Sequence, residues 1–271
     1  ISRSIVLSWK RFYLCIPLNK RKKLAWYHTY FEGLPQRAWK MHQDEESTEY
    51  EVDFITDVLE ITADSKVLDV LCGYGRHALP IARAGSAVTC VDLSKEYCEE
   101  LQKEVDAESL NVQVICTDVL AYAFEKNSFD AVYCFGNSFS FFPRIEMQTF
   151  IQQMADALKL GGYVSIHTEN LAESILPNFQ HHNWMQVDQD IIYLAQNEYN
   201  AAGGFIEAEQ TFISGAEKVT HTVCQHIYTL AELVHMFQLA GLEVVATFGN
   251  LEADPFNLGD EQLYLVAKKV S

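Results

Sequence analysis

Basic residues are scarce in this chain of 271 residues: 20 Lys and Arg stand against 37 Asp and Glu, a formal charge of −17. The deficit disfavours a nucleic-acid backbone as partner, because neutralising phosphates needs a basic face. Long apolar runs are missing too. None approaches the ~18–20 residues of a membrane-crossing helix, so no span is expected. No C-x-x-C pair occurs, and the seven cysteines are odd in number. Several sit inside apolar, strand-like runs. That pattern reads as reduced, buried thiols of a cytoplasmic protein, not as a disulfide framework or a metal site. Internal repeats and low-complexity tracts are absent.

The charge is spread unevenly. Residues 1–23 hold seven basic residues and no acid, which leaves 13 basic and 37 acidic residues in the remainder. This stretch reads as a basic N-terminal extension, in preference to a membrane-surface arm. It does not read as a convincing signal peptide, since charges interrupt its apolar part and no cleavage-like end follows. Apolar residues make up 49% of the chain, enough for a sizeable core. The length suits one large domain, or one domain with an insertion.

Residues 24–62 read as an N-terminal cap, rich in aromatics, ending in a first helix over Ser47–Glu60. Residues 63–271 then alternate apolar strands with helices. Such alternation implies an α/β fold, a doubly wound, mostly parallel seven-stranded sheet of Rossmann-like form. A helix-like run over Glu146–Leu160 is expected to stop at Gly161 and Gly162. After the fifth strand the pattern breaks. Residues 185–228 carry three long β-like runs separated by "AAGG" and "SGAE". Consecutive strands with short turns make an antiparallel meander, an insertion over 180–228 expected to lie across one end of the sheet.

The most informative stretch is "VLDVLCGYGRHALPIARAGSAVTCVDLS", Val67 to Ser94. It reads as strand, glycine turn, helix and second strand. Gly73, Gly75 and Ala78 satisfy G-x-G-x-x-G/A, and Asp92 ends the second strand. That matches the dinucleotide fingerprint, so an NAD-dependent oxidoreductase is one reading. Three carboxylates point elsewhere. Asp69 lies within the first strand, where a pyrophosphate would repel it, whereas an ammonium or sulfonium would be attracted. Asp92 is placed to accept ribose hydroxyls. Asp118 ends the third strand, where it can accept from an adenine amino group while the Val119 N–H meets a ring nitrogen. S-adenosylmethionine fits such a rim: it is cationic, carries adenosine and has no phosphate.

With these residues in view, the sequence resembles the class I S-adenosylmethionine-dependent methyltransferases from about Phe31 to Lys269. "VLDVLCGYGRHALPIA" is similar to the first family motif, "VTCVDLS" to the second and "CTDVL" to the third. "FDAVYCFGNSFSFF" and "ALKLGGYVSIHTEN" resemble the fourth- and fifth-strand motifs. Leu71 departs from the pattern, where the family often has glycine. The resemblance implies that Asp69, Cys72, Gly73 and Gly75 shape the methionine pocket, with Phe135 lining it. It further implies Asp92 on the ribose, Leu93 on adenine, Asp118 and Val119 at the adenine edge, and Trp39 and Thr48 touching the cofactor from the cap. Arg76 and His77 would serve the cofactor carboxylate or cap a helix.

Methyl transfer from a sulfonium needs alignment more than acid–base help, and a base only where the acceptor arrives protonated. Candidate acceptor-site residues are Asn137 and Ser138 after the fourth strand and Tyr228 near the end of the meander. His167 and Glu169 end the fifth strand, and His167 is the expected base. A meander after strand five is similar to the covers of small-molecule methyltransferases such as glycine and sarcosine N-methyltransferases. It implies a small-molecule acceptor, N or O, with a homodimer left open. A non-catalytic, cofactor-binding relative is a third reading.

Overall fold

The computed structural model describes residues 25–271, so the basic extension lies outside the described residues. Three helices come first: α1 (Tyr27–Tyr30), α2 (Gly33–His42) and α3 (Glu45–Val58). α3 starts at Glu45, ahead of the expected Ser47. Asp44 is its N-cap, accepting the Ser47 N–H at 2.7 Å. Glu45 and Glu46 place negative charge at the positive end of the helix dipole.

Strands and helices then alternate: β1 (Lys66–Val70), α4 (Ala78–Arg83), β2 (Ala87–Asp92), α5 (Lys95–Glu108), β3 (Val112–Cys116), β4 (Phe129–Cys134), α6 (Arg144–Ala157) and β5 (Leu158–Thr168). α6 does not reach Leu160. Leu158 turns extended, pairs with Phe129 of β4 and is fully buried, so Gly161 and Gly162 fall inside the strand. α7 (Ala172–Ile175) leads to β6 (His182–Gln186), β7 (Ile191–Asn200), β8 (Phe205–Ser214) and β9 (Glu217–His226). α8 (Leu230–Leu239), opened by a Thr229–Glu232 capping box, precedes β10 (Leu242–Phe248) and β11 (Leu263–Lys269).

Seven strands form the main sheet, in the order β10-β11-β5-β4-β1-β2-β3. β11 runs antiparallel to both of its neighbours. This is the doubly wound, Rossmann-like sheet that the alternation implied. Strand order reverses between β1 and β4, so the ligand crevice lies beyond the carboxyl ends of those strands. One face is covered by α6 and α8, which bring Phe150, Met154 and Phe237 into a cluster with Val132, Val164 and Leu265. The other is covered by α3, α4 and α5, which bring Ile55, Ile81 and Leu101 against Val67, Val88 and Ala131.

The second sheet is antiparallel, in the order β6-β7-β8-β9. It has four strands where the sequence suggested three. The first apolar run divides at Asp188, whose carboxylate accepts the N–H of Asp190 at 2.8 Å and of Ile191 at 2.7 Å. Such side-chain-to-backbone bonds stabilise a turn in place of a continuous ladder. One face of this sheet packs on the N-terminal helices, with Tyr30, Leu34 and Ala38 joining Ile191, Tyr193, Phe212 and Val223 in one apolar cluster. The Tyr30 hydroxyl donates to Gln210, 180 residues away in sequence. Among the described residues, no helix is long and apolar enough to cross a membrane.

Candidate functional site

A narrow slot opens at the carboxyl ends of the first three strands. One wall is Leu71 and Gly73 after β1, Asp92 and Leu93 at the end of β2, and Asp118 and Val119 after β3. The facing wall is aromatic, from Tyr27, Phe31, Tyr97 and Phe141. Flat apolar walls with carboxylates at the rim suit a planar heterocycle carrying hydroxyl and amino groups. Asp92 accepts the Gly73 N–H at 2.8 Å and the Ser94 N–H at 2.8 Å. Burial pushes its carboxyl up, while the N–H groups of Ser94 and Gly73 favour the charged form. Leu71 sits at φ +61°, in the left-handed region. There a leucine costs roughly 1–2 kcal/mol more than a glycine would. Its side chain forms part of the slot wall, which a glycine could not supply.

Asp69 lies deeper, in mid-strand, and is 2% exposed. It accepts the Tyr133 hydroxyl at 2.9 Å. Burial pushes the carboxyl up to about 8, with Tyr133 opposing and Asp92 adding to the rise. An uncompensated carboxyl in such a place stays protonated at neutral pH until a cation joins it.

Beside it is a buried ionic cluster. Glu51 of α3 accepts from the His77 Nε2 at 2.8 Å and from Arg76. Burial opposes its ionisation, but the bonds from His77 and Arg76 outweigh that and hold it down to about 2. Burial pushes the His77 imidazole down, with its bond to Glu51 opposing. Arg76 also donates to the Thr48 hydroxyl at 3.2 Å. Its other terminal nitrogen lies 3.8 Å from where a Cβ on Gly136 would stand.

A larger cavity of about 730 Å³ lies between the ends of β4 and β5, α2 and the second sheet. Gly136, Asn137 and Ser138 reach it after β4, Glu169 and Asn170 after β5. Tyr193, Gln210 and Gln225 reach it from the second sheet. Phe31, Ser138 and Phe141 line both this cavity and the slot, so the two adjoin. Asn137 holds φ +60°, a conformation that asparagine tolerates better than most residues. Trp39 donates its indole N–H to the Tyr30 hydroxyl at 2.7 Å, continuing the chain to Gln210.

Gly73, Asp92, Leu93, Asp118 and Val119 thus line the slot together, and Ser138 lies where slot and cavity meet. Asn137 and Trp39 line the larger cavity. Asp69, Cys72, Gly75 and Phe135 line neither space. They support the turn and sheet from beneath, with Phe135 packed among Tyr133, Tyr264 and His77. Thr48 sits at the ionic cluster. Tyr228 is buried, giving its hydroxyl to the Phe142 carbonyl at 2.6 Å. His167 also lines neither space: it is 4% exposed and stacked on Tyr264, ring centres 4.7 Å apart. Its Nε2 meets Gln262 at 3.1 Å, and burial pushes the imidazole down to about 4. Sequence reasoning missed Tyr27, Tyr30, Phe31 and Gln210. The aromatic density of residues 24–46 was the available signal, without a periodicity to aim it.

Residues 67–162 match the family model of the methyltransferase domain. Over 161 residues the chain is 27% identical to glycine N-methyltransferase of Homo sapiens, covering 52% of this chain and 54% of that protein. Over 112 residues it is 30% identical to the probable S-adenosyl-L-methionine-dependent methyltransferase TehB of Haemophilus influenzae, covering 40% of this chain and 37% of that protein. The matched segments therefore span about half or less of these relatives. The structure of the CcbJ methyltransferase from Streptomyces caelestis superposes with a TM-score of 0.77 at 17% identity, over 90% of this chain and 99% of that one. Residues 67–162 thus match a methyltransferase domain, and the chain shares its fold with this methyltransferase structure.

Proposed function

We propose that this protein transfers a methyl group from S-adenosylmethionine to a small-molecule N or O nucleophile. The observation that carries the reading is the junction: a carboxylate-rimmed slot and a second, polar cavity meet at Phe31, Ser138 and Phe141. The residues fit that cofactor. Asp92 would take the ribose hydroxyls, Leu93 and Phe31 the adenine faces, Asp118 and the Val119 N–H the adenine edge. Asp69, buried behind the slot, would act on the cationic end through its field, and Arg76, paired with Glu51 beside Gly136, on the carboxylate. A pyrophosphate would instead bring further negative charge beside the carboxylates of the slot rim, Asp92 and Asp118.

When bound, S-adenosylmethionine supplies an electrophilic methyl on a sulfonium sulfur. The chain contributes position and dryness. α1 and α2, packed on the second sheet, act as cap and lid over the junction. Holding the acceptor in line is worth on the order of 7–11 kcal/mol of a barrier. A cavity of about 730 Å³ set between the sheet ends and the second sheet favours a small acceptor over a polymer. His167, shut away from both spaces, holds Gln262, whose side chain reaches the cavity.

Calorimetric titration with S-adenosylmethionine, S-adenosylhomocysteine and NAD tests this. The first two are expected to bind and NAD not to. Binding of NAD alone would retire the proposal in favour of an oxidoreductase.

A further inference from the structure

The larger cavity has a chemistry of its own. Among the described residues lining it, ten are Asn or Gln and none is Lys or Arg, while Glu169 and Glu261 both face it. Asn170, Ser174 and Gln210 there are each more than nine-tenths buried. Each keeps a hydrogen-bonding group that no described residue uses. The Ser174 hydroxyl has no partner. Asn170 gives its NH2 to Asn137 at 3.1 Å and leaves its carbonyl oxygen. Gln210 takes the Tyr30 hydroxyl on its carbonyl and leaves its NH2. The Ser174 oxygen is itself closed off, but the free Asn170 carbonyl oxygen and Gln210 NH2, on residues lining the cavity, are groups that a ligand's own polar groups can pair with.

Glu169 is held in place. Asn137 donates to one of its carboxylate oxygens at 3.0 Å and accepts its backbone N–H at 2.9 Å. The side chain is ringed by protein yet open to the water of the cleft, and its second oxygen has no partner among the described residues. Burial, with Glu261 and Glu51 nearby, pushes this carboxyl up.

We infer that the cavity binds a polyhydroxylated amine, an amino sugar free of phosphate, and that Glu169 receives its ammonium. The inference rests on the methyl-transfer reading above and names its acceptor. Amide side chains offer donor and acceptor side by side, as each sugar hydroxyl does. Trp39, Phe179 and Tyr193 line the same cavity and give flat faces for the C–H side of a sugar ring. A phosphate or a carboxylate on the acceptor would meet Glu169 and Glu261 with no cation beside them. The volume of about 730 Å³ suits a molecule well beyond glycine in size.

In the reaction, the ammonium gives one proton to the Glu169 carboxylate. The freed nitrogen lone pair forms the N–C bond as the C–S bond breaks, its electron pair remaining on a now neutral sulfur. The product leaves as an N-methylated ammonium, and Glu169 returns its proton to cleft water. Glu169 thereby serves as binding group and base.

The test is calorimetry on the full chain saturated with S-adenosylhomocysteine, titrated with methyl glycosides bearing a free amine at C2, C3 or C4. At least one is expected to bind, and its N-acetyl and hydroxyl counterparts to bind at least tenfold more weakly. Glu169→Gln, nearly isosteric, should weaken that amine at least tenfold and leave S-adenosylhomocysteine affinity unchanged. Amine binding unaltered by E169Q, or no binding by any amino glycoside, overturns the inference. So does methylation of glycine or a simple phenol in their place, which leaves the small-molecule reading standing. Failure of S-adenosylhomocysteine itself to bind overturns that reading and this inference together.

Discussion

The carboxylate of Asp92 accepts the backbone N–H of Gly73 at 2.8 Å, tying the end of β2 to the glycine turn after β1. Its other oxygen takes the Ser94 N–H at 2.8 Å, fixing the start of α5. One side chain thus sets both edges of the slot. Asp92→Ala should leave two N–H groups without an acceptor and cost about 1–3 kcal/mol of stability. Denaturant unfolding reads that loss. Binding of S-adenosylhomocysteine should weaken by a similar ~1–3 kcal/mol, because the ribose hydroxyls lose their acceptor too. An unchanged affinity in calorimetry would contradict the ribose role.

Asp69 makes stability and binding depend on pH. Its carboxyl, pushed up to about 8 in the folded chain, binds a proton more tightly than it does in the unfolded chain. The sign follows: its contribution to stability is complete below about pH 4, and is lost as pH rises toward 8. A cationic ligand beside Asp69 favours the charged form and expels the proton. S-adenosylmethionine should therefore bind at pH 7 with proton release, seen as a binding enthalpy that varies with the ionisation enthalpy of the buffer. Asp69→Asn should abolish that variation; its persistence would mean that the proton comes from elsewhere.

Gly75 holds φ +81°, and a Cβ there would strike the Leu101 side chain. Leu101 is fully buried in the layer between α5 and the sheet, so it has little room to yield. Gly75→Ala should destabilise the fold by about 1–3 kcal/mol, from overpacking added to backbone strain. Thermal unfolding checks this. A melting temperature equal to that of the parent would show that the turn relaxes.

How much could be read beforehand differs from place to place. Gly73, Asp92, Leu93, Asp118 and Val119 were legible because each lies at the end of a strand whose apolar run is local. Parallel strands then bring their carboxyl ends to one edge. The capping box of α8 is equally local, since Thr229 and Glu232 are one turn apart. The end of α6 was not. Glycines suggest a stop, but Leu158 is drawn into the strand earlier by pairing with Phe129, a partner 29 residues away. The break at Asp188 was hidden because one carboxylate, not a glycine or proline, makes the turn.

The sequence alone determined the seven-stranded sheet, its glycine turn and the row of carboxylates along its edge. Those depend on periodicity and on contacts within a few residues of chain. Tertiary structure decided what faces that row. It brought Tyr30 to Gln210 and Asn137 to Glu169, and it enclosed His167 between Tyr264 and Phe135 while leaving Glu169, two residues on, open to the cavity. Pairings across such distances arise from which surfaces bury one another, and no local pattern along the chain encodes them.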